Sequence, residues 1–189
     1  MKNIFLFIAL IGFVSGIANA QEKLSADNSK TKLEWLGEKV TGHHTGTVKL
    51  HSGWLNWQDN KIVSGEFIID MKTIVDVDSN ARLISHLKSD DFFGVEKFPD
   101  AKLVLTGSTA FEKGNGVITG TLTIKDKTNP IEFKSTMQRK DDGVWFYSNI
   151  TIDRTKYNVR YGSGSFFDNL GDKVIYDEFK LKVALFLKQ

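Results

Sequence analysis

Apolar and polar residues alternate with a period of two along most of the chain. The pattern is cleanest near the C-terminal end, where Phe179, Leu181, Val183, Leu185 and Leu187 share one face and Lys180, Lys182 and Lys188 the other. The same period groups Val63, Gly65, Phe67 and Ile69, then Leu103 with Leu105, then Ile131, Phe133 and Met137 against Glu132, Lys134 and Gln138. Val144, Phe146, Ile150 and Ile152 alternate with Trp145, Tyr147, Asn149 and Thr151. Val48, Leu50 and Trp54 mark an earlier strand, Leu33 with Trp35 the first, and Val117 to Ile124 an eighth. Between these runs stand turn-forming residues: Gln58-Asp59-Asn60, Lys113-Gly114-Asn115-Gly116, Asp126 to Pro130 and Asp141-Asp142-Gly143. Short turns make sequence neighbours antiparallel. Eight one-sided strands hide their apolar faces and their edges by closing on themselves, so the pattern predicts an all-β, eight-stranded antiparallel barrel, with a two-sheet sandwich as the alternative.

Two stretches leave the alternation. From Ser79 to Leu87 the spacing of Leu83, Ile84 and Leu87 is helical, and Ser79 is placed to cap a short helix lying across a barrel face or mouth. Tyr157 to Asp172 is rich in Gly and Asn yet carries Tyr161, Phe166 and Phe167, and reads as a long ordered loop.

The N-terminal segment follows other rules. Lys2, the apolar run from Ile4 to Val14 and the small residues of Ala18-Asn19-Ala20 form the pattern of a cleavable export signal over residues 1–20, leaving one domain at 21–189 that works outside the cytoplasm. Ser15, Gly16 and Asn19 interrupt the run before it reaches the roughly 20 residues of a membrane span, so no stable membrane insertion is expected. Losing Lys2 and no acid takes the 25 basic and 23 acidic side chains to 24 and 23, and intermixed charges of both signs argue against a nucleic-acid surface. With no cysteine there is neither a disulfide nor a lipid-modified N-terminus.

Catalytic and metal-binding patterns are thin. Gly162-Ser163-Gly164-Ser165 lacks both the spacing of a nucleophile elbow and the Lys-Ser/Thr of a phosphate loop. His43, His44 and His51 are close in sequence, but only the first and last share strand parity. Asp76-x-Asp78-x-Asn80 begins like a calcium loop and fails where Ala81 replaces the turn glycine and Leu87 the bidentate Glu. Asp90-Asp91 and Asp141-Asp142 read as turn and cap acids. No catalytic residue, metal or cofactor is therefore assigned, and the chain is read as a non-enzyme.

Three stretches carry a resemblance: His86-Leu87-Lys88-Ser89-Asp90-Asp91-Phe92-Phe93 with Phe98-Pro99; Gly120-Thr121-Leu122-Thr123-Ile124 with Thr128-Asn129-Pro130; and Ile152-Asp153-Arg154-Thr155-Lys156-Tyr157. In this order and spacing they resemble the YceI family. Lys125-Asp126 stands where that family more often has a glycine, and Tyr157-Asn158 where it favours Phe-Gly; both departures fall at turns. The resemblance implies an extended, lipocalin-like barrel that holds an isoprenoid or another long-chain amphiphilic lipid in the periplasm, without catalytic residues. A stress-related structural or interaction barrel, or an enzyme acting on an isoprenoid lipid or quinone, are the alternative functions, and a homodimer stays open.

Face parity then names an apolar lining of Trp35, Phe67, Ile69, Leu103, Leu105, Phe133, Met137, Phe146, Ile150, Phe179, Leu181, Val183 and Leu185, with Leu83, Leu87, Phe92 and Phe93 closing a mouth. Arg82, His86, Arg154 and Arg160 are the candidates for meeting a head group, Arg154 doubling as a buried ion-pair partner.

Overall fold

The computed structural model describes residues 20–189, so the export signal expected at 1–20 lies, but for Ala20, outside the described residues. Nine strands and one helix follow in the order β1 (Glu22–Ala26), β2 (Lys32–Lys39), β3 (Gly42–Gln58), β4 (Lys61–Asp76), α1 (Ala81–Lys88), β5 (Asp100–Ser108), β6 (Asn115–Ile124), β7 (Lys127–Lys140), β8 (Gly143–Asp153) and β9 (Ile175–Lys188). Every pairing is antiparallel, and the β3–β4 pair closes the sheet into a barrel. Around its girth the barrel has eight strands, because β1 and β2 share one place between β3 and β9. β2 pairs the first half of β3 (Leu33 opposite Val48) and β1 the second (Leu24 opposite Leu55), while β9 meets β2 through Val183 and β1 through Leu187.

The inward face of the ring is the core, and three departures from strict alternation decide what reaches it. In β3 a register shift between Leu50 and Ser52 moves the inward set from Val48 and Leu50 to Leu55 and Trp57. Trp54, grouped above with Val48 and Leu50, is thereby turned outward, where the Lys23 ammonium lies 5.0 Å from its ring centre. In β4 a second shift lets Ile62 and Gly65 face inward while Val63, grouped above with Gly65, is 39% exposed. A bulge inserts one unpaired residue and so reverses the parity that a two-residue period assumes. Phe186 departs differently: it lies on the outer face yet is 1% exposed, packed 4.9 Å from the Trp145 ring with the Lys30 ammonium over it.

The two ends of the barrel differ. At one, Trp57, Phe111 and Phe146 contact one another with ring centres 5.4–6.1 Å apart and plug the interior together with Leu24, Leu55 and Ile62. At the other, α1 and the turn after it bring buried Leu87, Phe92, Phe93 and Val95 over the barrel. The helix begins at Asn80, whose side chain accepts from the Leu83 amide; Ser79 does not cap it, sitting instead in the left-handed region at φ 56°. Asp76 in turn accepts from the Asn80 amide, tying the cap to the end of β4.

Candidate functional site

Along the barrel axis the inward side chains leave two cavities. The outer one, about 120 Å³, lies under α1 and is walled by Trp35, Val48, Met71, Ile74, Leu87, Phe92, Phe93, Ala101, Leu122, Ile124, Ile152, Ile175 and Phe179, with exposed Tyr176 and Glu178 at its rim. The deeper one, about 70 Å³, is walled by Leu33, Leu50, Leu55, Ile62, Phe67, Leu103, Leu105, Ile118, Phe133, Phe146, Ile150, Val183, Leu185 and two serines, Ser135 and Ser148. Ile69 of β4 and Leu181 of β9 border both cavities and form a waist between them. Trp35 is fixed at the outer wall by its indole N–H, which donates to the Val75 carbonyl at 3.2 Å. Gly46 makes room for it, since a Cβ there would stand 1.8 Å from that same carbonyl oxygen.

Of the residues named from parity, all but two border one cavity or the other. Leu83 and Met137 are half-buried and pack against the core without reaching either cavity. Parity arguments passed over Val48, Leu50, Leu55, Ile62 and Ile118 as lining, and over Ser135 and Ser148 altogether. The serines sit in phase with Phe133 and Phe146, so their position was readable; their polarity hid them.

The four cationic or imidazole candidates diverge. Arg82 is exposed on α1. Arg160 is exposed too, its guanidinium 4.5 Å from the Phe166 ring centre. His86 is half-buried, its ring 4.3 Å from that of Tyr161 and 5.7 Å from that of Phe92, with Nε2 enclosed and without a hydrogen-bond partner among the described residues. Arg154 is 2% exposed. It begins a 3-10 turn at Arg154–Tyr157 and donates to the carbonyls of Val159, Tyr161, Ile175 and Tyr176 at 2.8–3.0 Å, while Asp177 lies 3.6 Å away. Burial draws its pKa down, opposed by the charges of Asp177 and Asp153. Asp153, the preceding residue, caps the turn by accepting from the Thr155 amide. Arg154 thus staples the loop after β8 to the start of β9, and its aliphatic and ring contacts, with Phe92 at 5.7 Å, form part of the outer wall.

Several large apolar side chains are exposed at the same end. Val40, Val75, Val77, Tyr161, Phe166, Phe167 and Tyr176 are each 44–68% exposed, and they sit on the β2–β3 turn, the end of β4, the loop after β8 and the start of β9. A broader groove of about 1160 Å³ crosses the outer face of β6 to β9 and β2, but its walls carry Lys32, Glu34, Glu112, Lys134 and Lys182, and charged groups of both signs suit no apolar guest. His44 faces Asp76 at 3.8 Å while His43 and His51 are exposed, and no set of three metal-ligating side chains converges among the described residues.

The model of the YceI-like domain matches residues 24–187. A UPF0312 protein of Pseudomonas putida is 27% identical over 148 residues, covering 75% of this chain and 77% of its own length. Among solved structures, BcnA of Burkholderia cenocepacia superposes with a TM-score of 0.73 at 22% identity, over 87% of this chain and 99% of that one. A polyisoprenoid binding domain from Saccharophagus degradans does so with a TM-score of 0.64 at 13% identity, over 87% and 97%. At such identities the likeness to these structures is one of fold.

Proposed function

The chain belongs to the YceI-like domain family, and from that premise we propose that its barrel is a periplasmic carrier that holds an isoprenoid or similar long-chain amphiphile along the barrel axis. The observation that carries the reading is the wall: two apolar cavities in line, plugged by aromatic rings at one end and rimmed by Tyr176 and Glu178 at the other. Each methylene taken from water contributes about 0.8 kcal/mol, so one five-carbon isoprene unit gains roughly 4 kcal/mol on entering such a wall. The Saccharophagus degradans domain, described as polyisoprenoid-binding, supports the choice of chain. The export pattern at residues 1–20 supports the compartment. Binding rather than turnover is favoured because the deeper wall offers hydroxyls and no acid or base.

One observation favours a second reading, a filled barrel with a structural or interaction role in stress: each cavity is far smaller than the roughly 300–1,000 Å³ of ordinary preformed ligand sites. On the carrier reading the guest is a slender chain, and the waist residues move to admit it. Denaturing extraction of protein purified from an exporting host, followed by mass spectrometry, separates the two. A stoichiometric apolar molecule, or micromolar binding of an added isoprenoid alcohol, is the expected result; neither being found leaves the filled barrel.

A further inference from the structure

From Ile131 to Met137 on β7 and from Val144 to Ile152 on β8 the inward faces are apolar but for one position each. On β7 the series Ile131, Phe133, Met137 is interrupted by Ser135, and on β8 the series Val144, Phe146, Ile150, Ile152 by Ser148. These two interruptions are register partners, so their hydroxyls fall side by side on adjacent strands. Both residues are buried, at 4% and 8% exposure, and both border the deeper cavity.

Their hydrogen bonding differs. The Ser135 hydroxyl donates to the Tyr147 carbonyl at 3.2 Å. The Ser148 hydroxyl has no partner among the described residues and is not fully enclosed; the serine pair stands at the wall that separates the deeper cavity from the outer groove and borders both. An idle hydroxyl in an apolar wall costs free energy that alanine, of nearly the same size, would avoid. Small size alone does not account for it, and a guest in the deeper cavity would complete the bond from the inner side.

Resting on the carrier reading above, we propose that Ser148, supported by Ser135, is a polar subsite inside the barrel that takes the single neutral oxygen of a chain lipid, a hydroxyl or a carbonyl, so that the polar end lies deep and the tail runs past the waist to the mouth. A serine hydroxyl both donates and accepts, which suits either group. An anionic head is excluded from this place, because no cation borders the deeper cavity and an unpaired charge there is far costlier than a neutral oxygen. Nor does the outer wall hold an anion: Arg154, its one cation, already gives its donors to four carbonyls.

The test uses the mature protein, Ser148→Ala and Ser135→Ala, with farnesol and the hydrocarbon of the same skeleton lacking the oxygen. Ser148→Ala is expected to weaken farnesol by about threefold to tenfold, the worth of one net hydrogen bond, and to leave the hydrocarbon within twofold. In wild type, the carbonyl stretch of bound farnesal is expected at lower frequency than in an alkane solvent, a readout that needs no variant. If alcohol and hydrocarbon respond alike to Ser148→Ala and the bound carbonyl keeps its alkane frequency, the subsite is overturned while the carrier reading stands. If wild type binds neither probe, both fall.

Discussion

Arg154 is the residue on which the mouth of the barrel depends. Four carbonyls from two segments, Val159 and Tyr161 on one side and Ile175 and Tyr176 on the other, turn their oxygens toward one buried guanidinium. Only a planar fork reaches all of them, so lysine is no conservative replacement. Removing the side chain leaves carbonyls unpaired in a buried setting and Asp177 without its counter-charge. Arg154→Met is expected to cost about 3–5 kcal/mol in chemical denaturation, and Arg154→Lys most of that. A second residue makes a pH signature. Hydrogen bonds from Ser29 and Lys188 hold the Asp27 carboxyl at about 2, below its usual 3.8. Because the folded value is the lower one, its contribution is present above the usual value and is lost as pH falls through about 2. The difference in unfolding midpoint between wild type and Asp27→Asn is therefore expected to close between pH 4 and pH 2. It should be small and salt-sensitive throughout, since the pair is exposed.

At the scale of elements, α1 and its flanks decide whether the outer cavity is covered. The Asn80 side chain caps the helix and Ser79 stands outside it in a left-handed conformation. Asn80→Ala is expected to cost about 1 kcal/mol and to speed hydrogen exchange at the amides of Leu83 to Leu87, whereas Ser79→Gly, which relieves a positive φ, should cost nothing. The sequence carried the helix itself but not which residue begins it, because two adjacent polar residues compete for the cap and only backbone geometry separates them. The strands were legible for the same reason that the barrel forms: with one face buried, a period of two is enforced along β6 to β8 and over most of β5 and β9. Where a bulge breaks the ladder the inference fails locally, as at Trp54 and Val63, since nothing in side-chain type announces an inserted residue. β1 was missed because five residues with one buried leucine carry no period. Phe186 was unreadable because its burial comes from Trp145 and the Lys30 side chain, neither of them a neighbour in sequence. Most of the apolar wall was accessible from parity. The waist was not, for it depends on which of many inward aliphatics come to border both cavities.

For the molecule as a whole, the waist is where the carrier reading meets its strongest constraint. Ile69 and Leu181 come from strands three steps apart around the ring and border both cavities, so a chain longer than the outer cavity has to pass between them. Protein interiors are close-packed, and such passage requires rotamer changes in a wall that otherwise repacks little. The exposed Val40, Val77, Phe166, Phe167 and Tyr176 lie at the end from which the chain would enter, away from the plugged end. Narrowing the waist then separates long guests from short ones. Leu181→Phe adds bulk at the junction, and an isoprenoid alcohol of twenty carbons is expected to lose at least tenfold in affinity, while one of ten carbons, short enough for one cavity, changes by less than threefold. The same contrast should appear in stability. A guest that binds only the folded state raises the unfolding free energy by about 2.7 kcal/mol at a hundred times its dissociation constant. At a fixed concentration the long chain should therefore raise the melting temperature of wild type and lose that effect in Leu181→Phe, with the short chain acting equally on both. Equal loss for both lengths would show that the variant disturbs the barrel generally and that the two cavities are not traversed by one chain.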